Sequence, residues 1–326
     1  MTTAKPCGTW HSVITSEMLV GGAVRLGEVI TDGEDVWWAE SRPDEGGRTV
    51  LVRNGKDQLD KNSNVRTLVH EYGGGAWWVK NRTLIFSQYS DQRLYMFEES
   101  CDLVPLTPET EEGKSARYAD GRITENGKWY VCVRELHDLN KKEPSNEIVA
   151  VPTDGSQQIK ILVSGPDFVS SPRVAKDCGK IAWIQWNHPN MPWDSTELCI
   201  ASIDEMEISD QKVVASEGES FFQPEWDDEG NLYVVSDRNN WWNLFRVDET
   251  KEEIDLMPLT NVEAEIGLPQ WVFGQSRYAL VDGEIWFVAR EAGLDKLMTL
   301  SNNGQVEHVK LDATEIESVK SYRNGI

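Results

Sequence analysis

Short runs of apolar residues, each four to eight positions long and bounded by turn-forming residues, recur along the chain at a nearly fixed spacing. Six of them, VWWAE from Val36, TLIFS from Thr83, WYVCV from Trp129, IAWIQ from Ile181, LYVVS from Leu232 and IWFVA from Ile285, begin 46 to 53 residues apart. Turn signals stand before most of them, at Asp32-Gly33, Asn126-Gly127, Asp177-Cys178-Gly179, Glu229-Gly230-Asn231 and Asp282-Gly283. A second run follows in five units: RLYMF from Arg93, NEIVAV from Asn146, ELCIASI from Glu197, WNLFRV from Trp242 and KLMTL from Lys296. Several units then close on PLT (Pro105, Pro258) or ILVS (Ile161). No stretch carries a convincing helical period.

A repeat of four short strands with β-rich composition describes the blades of an all-β β-propeller better than a solenoid or a doubly wound sheet. Six blades are expected, beginning near Leu26, His70, Arg117, Phe168, Phe221 and Ile266, after an N-terminal arm over residues 1–25. Residues 315–321 read as the start of a seventh. A propeller closes by pairing its first and last blades, so either the arm fills the remaining gap or the chain is a piece of a longer one. The second is the expectation.

In such a meander the first-to-second turns lie on one face of the disc, and the second-to-third loops and inter-blade connections lie on the other. Here the first are short and Gly-rich, whereas the second carry aromatics, prolines and ionisable groups: YSDQR from Tyr89, ELHD from Glu135, WNHPNMPWD from Trp186 and DRNNWW from Asp237. Recognition usually sits on loops of this kind held by a rigid scaffold. The innermost strands are expected to include HEYGGG from His70, RYAD from Arg117, SSPR from Ser170, QPEW from Gln223 and PQWVFG from Pro269.

Composition narrows the function. The 14 Trp cluster as pairs such as Trp37-Trp38 and Trp77-Trp78, which in a strand place large rings on both faces of a sheet. A formal net charge of −23 argues against nucleic acid or an anionic membrane as partner, since both require a positive patch. The five Cys are widely spaced with no C-x-x-C pair, and read as reduced thiols of a cytoplasmic protein. The first residues lack the apolar core of a signal peptide, and no apolar run reaches membrane-spanning length.

Taken in order, GTW from Gly8, RPDEGGR from Arg42, VHEYGGG from Val69, DQRLY from Asp91, RYAD from Arg117, HPNMPWD from His188, FQPEW from Phe222, WWNL from Trp241 and PQWVFG from Pro269 resemble the prolyl oligopeptidase superfamily. The similarity is to its acylaminoacyl- and dipeptidyl-peptidase-like members. It implies an N-terminal propeller that limits access to an α/β-hydrolase domain holding a Ser-Asp-His triad. That domain needs roughly 200 or more further residues and a G-x-S-x-G nucleophile elbow. No G-x-S-x-G occurs in the sequence, so no catalytic residue is assigned.

The expected function is therefore a non-catalytic, substrate-gating propeller of a serine peptidase, whose partners are a peptide substrate and a hydrolase domain in cis or on a separate chain. Alternatives are a stand-alone propeller for protein or peptide interaction and a metal-dependent lactonase-type propeller. No cofactor is expected.

Candidate substrate contacts near the axis are His70, Glu71, Tyr72, Arg117 and Tyr118; those in the loops are His188, Trp193, Asp194, Arg238 and Trp241. Metal roles are not expected. His188 and His137 lack neighbouring His ligands, and DDEGN from Asp227 fills a turn slot without the alternating ligands of a calcium loop. Asp194 and Glu197 read as structural rather than as an acid and base pair.

Overall fold

A computed structural model describes residues 5–249 and 254–326; residues 1–4 of the N-terminal arm lie outside the described residues. Six antiparallel sheets of four strands each follow one another along the chain, with strands paired in sequence order within every sheet. They occupy residues 25–57, 77–105, 114–164, 168–214, 221–258 and 278–309. Each recurring run of the sequence is the second strand of a blade: Asp35–Arg42, Thr83–Ser87, Trp129–Asp138, Lys180–Trp186, Leu232–Ser236 and Glu284–Glu291.

The core is a series of layers between neighbouring blades. Trp37, Leu51, Trp77 and Phe86 fill the first, and Ile85, Tyr118, Tyr130 and Val149 the second. Val133, Ile148, Trp183 and Cys199 fill the third. Ile184, Phe221 and Phe245 form the fourth; Phe222, Leu244, Tyr278 and Phe287 form the fifth. Alternation along each strand feeds two such layers at once, which is why Ile85 and Phe86 belong to different ones. Trp77 and Trp78 show the same division: Trp77 is buried in the first layer while Trp78 also packs on the second. Trp241 and Trp242 precede the strand that starts at Asn243, so that pair belongs to a loop.

Residues 5–19 of the arm are exposed, and Ser16–Val20 forms a single helical turn capped by the Thr15 hydroxyl, which accepts from the Met18 amide. The described residues of the arm before Arg25 do not enter the ring. The region read as the start of a seventh blade does reach it, although it forms no ladder. Val319 exchanges hydrogen bonds with Ser276 beside blade six, and Ser321 accepts from the Thr31 hydroxyl of blade one at 2.6 Å. Its foothold on blade six is the ion pair of Arg277 and Asp295, both side chains 0% exposed. Asp295 also accepts from the Ile316 amide, and Arg277 donates to the Ile316 carbonyl.

Two blade starts differ from expectation. The inner strand of blade two begins at Trp77 rather than His70, and that of blade six at Tyr278 rather than Ile266. His70, Glu71, Gly73, Gly74 and Gly75 all have positive φ (53°, 64°, 72°, 86° and 55°), a backbone that cannot continue a strand. HEYGGG and PQWVFG are therefore loops that approach the axis, not strands that line it.

Candidate recognition site at the mouth of the axis

The two loops meet. The Phe273 amide donates to the Gly73 carbonyl at 3.0 Å, and Gly74 and Phe273 form a parallel bridge. Glycine is required at this crossing, because a Cβ on Gly74 would lie 2.3 Å from the Phe273 carbonyl oxygen and one on Gly274 would lie 2.5 Å from Glu28 Oε1. On the other side Gly75 O accepts from the Asp120 amide at 2.8 Å. Blades two and three and the lead-in to blade six are thus joined across the axis at one level, and the mouth is closed by backbone.

His70 anchors this closure. Its ring packs against Phe168, Trp186 and Phe273, with centroids 5.2, 6.1 and 5.0 Å away, and Nε2 lies 3.2 Å from Asn146 Oδ1. Burial pushes its pKa down, so the ring stays neutral at physiological pH. Its amide donates to Glu135 Oε2. Glu135, buried on blade three, also meets Arg117 Nη1 at 3.3 Å and His137 Nε2 at 2.6 Å. Arg117 in turn donates to Glu71 Oε1 at 2.6 Å and to the Leu68 carbonyl at 2.8 Å. One guanidinium therefore holds two carboxylates and the turn that carries one of them, and it keeps the exposed Glu71 ionised by lowering its pKa.

What this scaffold presents outward is aromatic. Tyr72 is 67% exposed and Trp271 53% exposed; their ring centroids lie 5.9 Å apart at 69°. Trp193, from the second-to-third loop of blade four, meets Trp271 at 4.6 Å and 45°. The Asp194 carboxylate beside it accepts from the Met191 amide and shapes that loop. In the same loop the exposed ring of His188 stands edge-on to Phe168, and its amide donates to Asp167.

The expected site residues divide accordingly. Tyr72 and Trp193 converge through Trp271, which was expected only as a strand residue. Glu71 and Arg117 form the charged support beneath, and His70 is the anchor. Arg238 pairs with Glu219 at 2.8 Å and lies over Phe245, while Trp241 stands half-open in the same blade-five loop. Tyr118 is 2% exposed inside the second core layer, with its hydroxyl pKa pushed up to about 12 by burial. Being adjacent to Arg117 on one strand, it faces the opposite way.

The other end of the axis is ionic. Arg122 and Glu225 pair there, together with Arg173 and Asp120, and they open onto a depression also lined by Lys80, Glu125, Lys176 and Trp226. Asp227 spends its carboxylate on the amides of Glu229 and Asn231, which makes it the organiser of its turn. Among the described residues no group of three or more His, Cys, Asp or Glu gathers as a metal centre would require, and no helix is long and apolar enough to cross a membrane.

No protein-family model matches the chain, and no curated protein matches it. Solved structures do. A puromycin-hydrolyzing peptidase of Mycobacterium tuberculosis is 32% identical with a TM-score of 0.86, and a puromycin hydrolase is 31% identical with a TM-score of 0.87. Each match covers 98% of this chain and 52% of the other, so the chain spans about half the length of these structures. The β-propeller domain of the Trilobed protease from Pyrococcus furiosus, at 13% identity and a TM-score of 0.58, shares the fold. The chain belongs to the prolyl oligopeptidase family, as a β-propeller of the kind its peptidases carry. Within that family it matches the propeller portion of the puromycin-hydrolysing peptidases.

Proposed function

We propose that the chain is the substrate-gating propeller of a serine peptidase and that an α/β-hydrolase domain, in cis or on a separate chain, sits over the face bearing Tyr72, Trp193 and Trp271. The observation that carries this reading is the exposed aromatic group at the closed mouth. Large exposed rings gathered on a rigid support mark an interaction surface, and they lie on the face formed by second-to-third loops and inter-blade connections. Because the backbone of Gly73–Gly75 and Phe273 closes the mouth, the gate works by covering the active site and restricting what fits beneath the cover. Substrate enters along the rim. Glu71, His188, Asp194, Arg238 and Trp241 are the polar and aromatic groups it would meet there, and Arg117 positions Glu71.

The substrates that suit this reading are peptides, and the matching structures are a puromycin-hydrolyzing peptidase and a puromycin hydrolase. The test is the intact mass of the native protein, with hydrolysis of aminoacyl and acyl-peptide chromogenic substrates by that form and by this chain. A native mass near twice 37.0 kDa with activity confined to the longer form is expected. A native mass equal to this chain without hydrolysis would overturn the reading and leave a stand-alone interaction module.

A further inference from the structure

We infer that the axial space beneath the closed mouth is a binding site for a small monovalent anion, a halide or a short carboxylate, held by Lys320, Arg173 and Tyr130. This goes beyond the peptidase reading and does not depend on it.

The space lies between the two ends of the axis. Glu28 of blade one stands directly under the mouth, its Oε1 2.5 Å from where a Cβ on Gly274 would be. The Arg122–Glu225 pair crosses the axis at the other end, beside Arg173 and Asp120. Lys320 enters from the segment that passes between blades six and one. Its neighbour Val319 is bonded to Ser276 and its neighbour Ser321 to Thr31. Glu28 and Lys320 both keep some accessible surface, so the space admits species of the size of water. Arg122, Arg173 and Glu225 also line the depression at the ionic end, which gives an anion a way in.

The groups left open around this space are donors. Lys320 takes part in no hydrogen bond or ion pair among the described residues, although Arg122, Glu28, Glu225 and Arg173 surround it. Arg173 is 7% exposed and Tyr130 1%, yet Arg173 Nε and the Tyr130 hydroxyl have no hydrogen-bond partner. Glu225 Oε1 stands 3.7 Å from that Nε, too far for a hydrogen bond. Buried donors are ordinarily paired, and three of them turned on one space suit an acceptor there.

The charges point the same way. Arg122 is neutralised by Glu225 and Arg173 by Asp120, which leaves the Lys320 ammonium to Glu28. Glu28 forms no hydrogen bond either, and loss of surrounding water pushes its carboxyl up to about 7, against Lys320, Arg122 and Arg173 and with the repulsion of Asp120. Tyr278, which also faces these charges, gives its hydroxyl to the Gln223 carbonyl and stays a neutral phenol. Below its pKa Glu28 is uncharged, so three cations face two carboxylates and the Glu28 carboxyl adds a fourth donor. Burial lowers the pKa of Lys320 as well, and an anion beside it would restore the ammonium. Such an anion would tie the Lys320 segment to blades three and four.

Chloride NMR linewidths measured on this chain, titrated and displaced with bromide, test the site. Lys320→Met should weaken chloride binding by about tenfold and Tyr130→Phe by about threefold, each with unchanged circular dichroism. Affinity should fall by about tenfold from pH 6 to pH 8 as Glu28 ionises, and Glu28→Gln, which keeps a donor without the titration, should flatten most of that change. Crystals soaked in bromide should show an anomalous peak within hydrogen-bond distance of Lys320 Nζ. Displacement of chloride by formate and acetate would mark a site open to carboxylates, and displacement by bromide alone a halide site. Should Lys320→Met fail to fold, Tyr130→Phe and the bromide peak decide. Broadening in the folded variants equal to that of the wild type, or a bromide-soaked crystal without a peak on the axis, would overturn the inference and leave the space to water.

Discussion

Arg122 on the inner strand of blade three reaches across the axis to Glu225 on that of blade five and donates two hydrogen bonds, Nη1 to Oε2 and Nη2 to Oε1, each 2.5 Å long. Arg173 of blade four lies between, its Nε 3.7 Å from Glu225 and its Nη2 2.9 Å from Asp120. The Arg122 guanidinium also stands over the Trp78 ring of blade two, 4.6 Å from its centroid. Four blades thus meet at a few charged side chains, each of which balances another.

Arg122→Leu should therefore destabilise the propeller by about 2–3 kcal/mol, since it takes the two direct hydrogen bonds from a partly buried carboxylate and leaves it the more distant Arg173 and Lys320. The double variant Arg122→Leu with Glu225→Leu should lose less than the sum of the two single changes. Urea unfolding of the four proteins gives the comparison.

Glu28 supplies a pH dependence. Loss of surrounding water pushes its carboxyl up to about 7 from an ordinary 4.5, against the attraction of Lys320, Arg122 and Arg173 and together with repulsion from Asp120. Below pH 4.5 the group is protonated whether the chain is folded or not. Between 4.5 and 7 the unfolded chain releases the proton while the folded one retains it, so this group makes stability fall as pH rises through that window. Glu28→Gln removes the effect. Its melting temperature should gain on the wild type from pH 5 to pH 8, by on the order of 2 °C.

Gly74→Ala tests the closed mouth. The substitution meets both a φ of +86° and a Cβ position 2.3 Å from the Phe273 carbonyl. A cost of about 2–3 kcal/mol is expected. Amide exchange should accelerate first in residues 268–276, while the strands of blade four remain protected.

Thiol labelling checks the burial pattern. Cys7 and Cys101 are exposed, Cys178 is intermediate, and Cys132 and Cys199 are buried, the thiol of Cys199 pushed up to about 12. Thiolate is the reactive form. Iodoacetamide on the native protein should add two groups quickly and a third slowly. Cys132 and Cys199 should react only after denaturation.

The blades were legible in the sequence because a strand buried on both faces is an apolar run, and those at Val36, Thr83, Trp129, Ile181, Leu232 and Ile285 are bounded by turn residues. VHEYGGGAWWV and IGLPQWVF offered the same signal for a different reason. Val69, Trp77 and Ile266 are buried as strand residues would be, but in the first segment the left-handed backbone at His70 and Glu71 bends the chain out of any ladder, and only dihedral angles reveal that. The three glycines were the one hint, read as close approach at a crowded axis, and Gly74 is indeed pressed against Phe273. Trp271 escaped notice as a site residue because it lay in an expected strand, although it touches both Tyr72 and Trp193. Tyr118 follows Arg117 on one strand, so alternation turns it to the opposite side, into the second core layer.

The bridge between Gly74 and Phe273 also bears on how the molecule is made. Its two halves belong to the lead-in of the second blade and the lead-in of the sixth, so the mouth cannot assemble until most of the propeller has been synthesised. Contacts so distant in sequence carry a large loop-closure cost and form slowly. During synthesis the aromatic face therefore stays incomplete while the earlier blades stack, and the emerging chain cannot offer its finished recognition surface until blade six arrives.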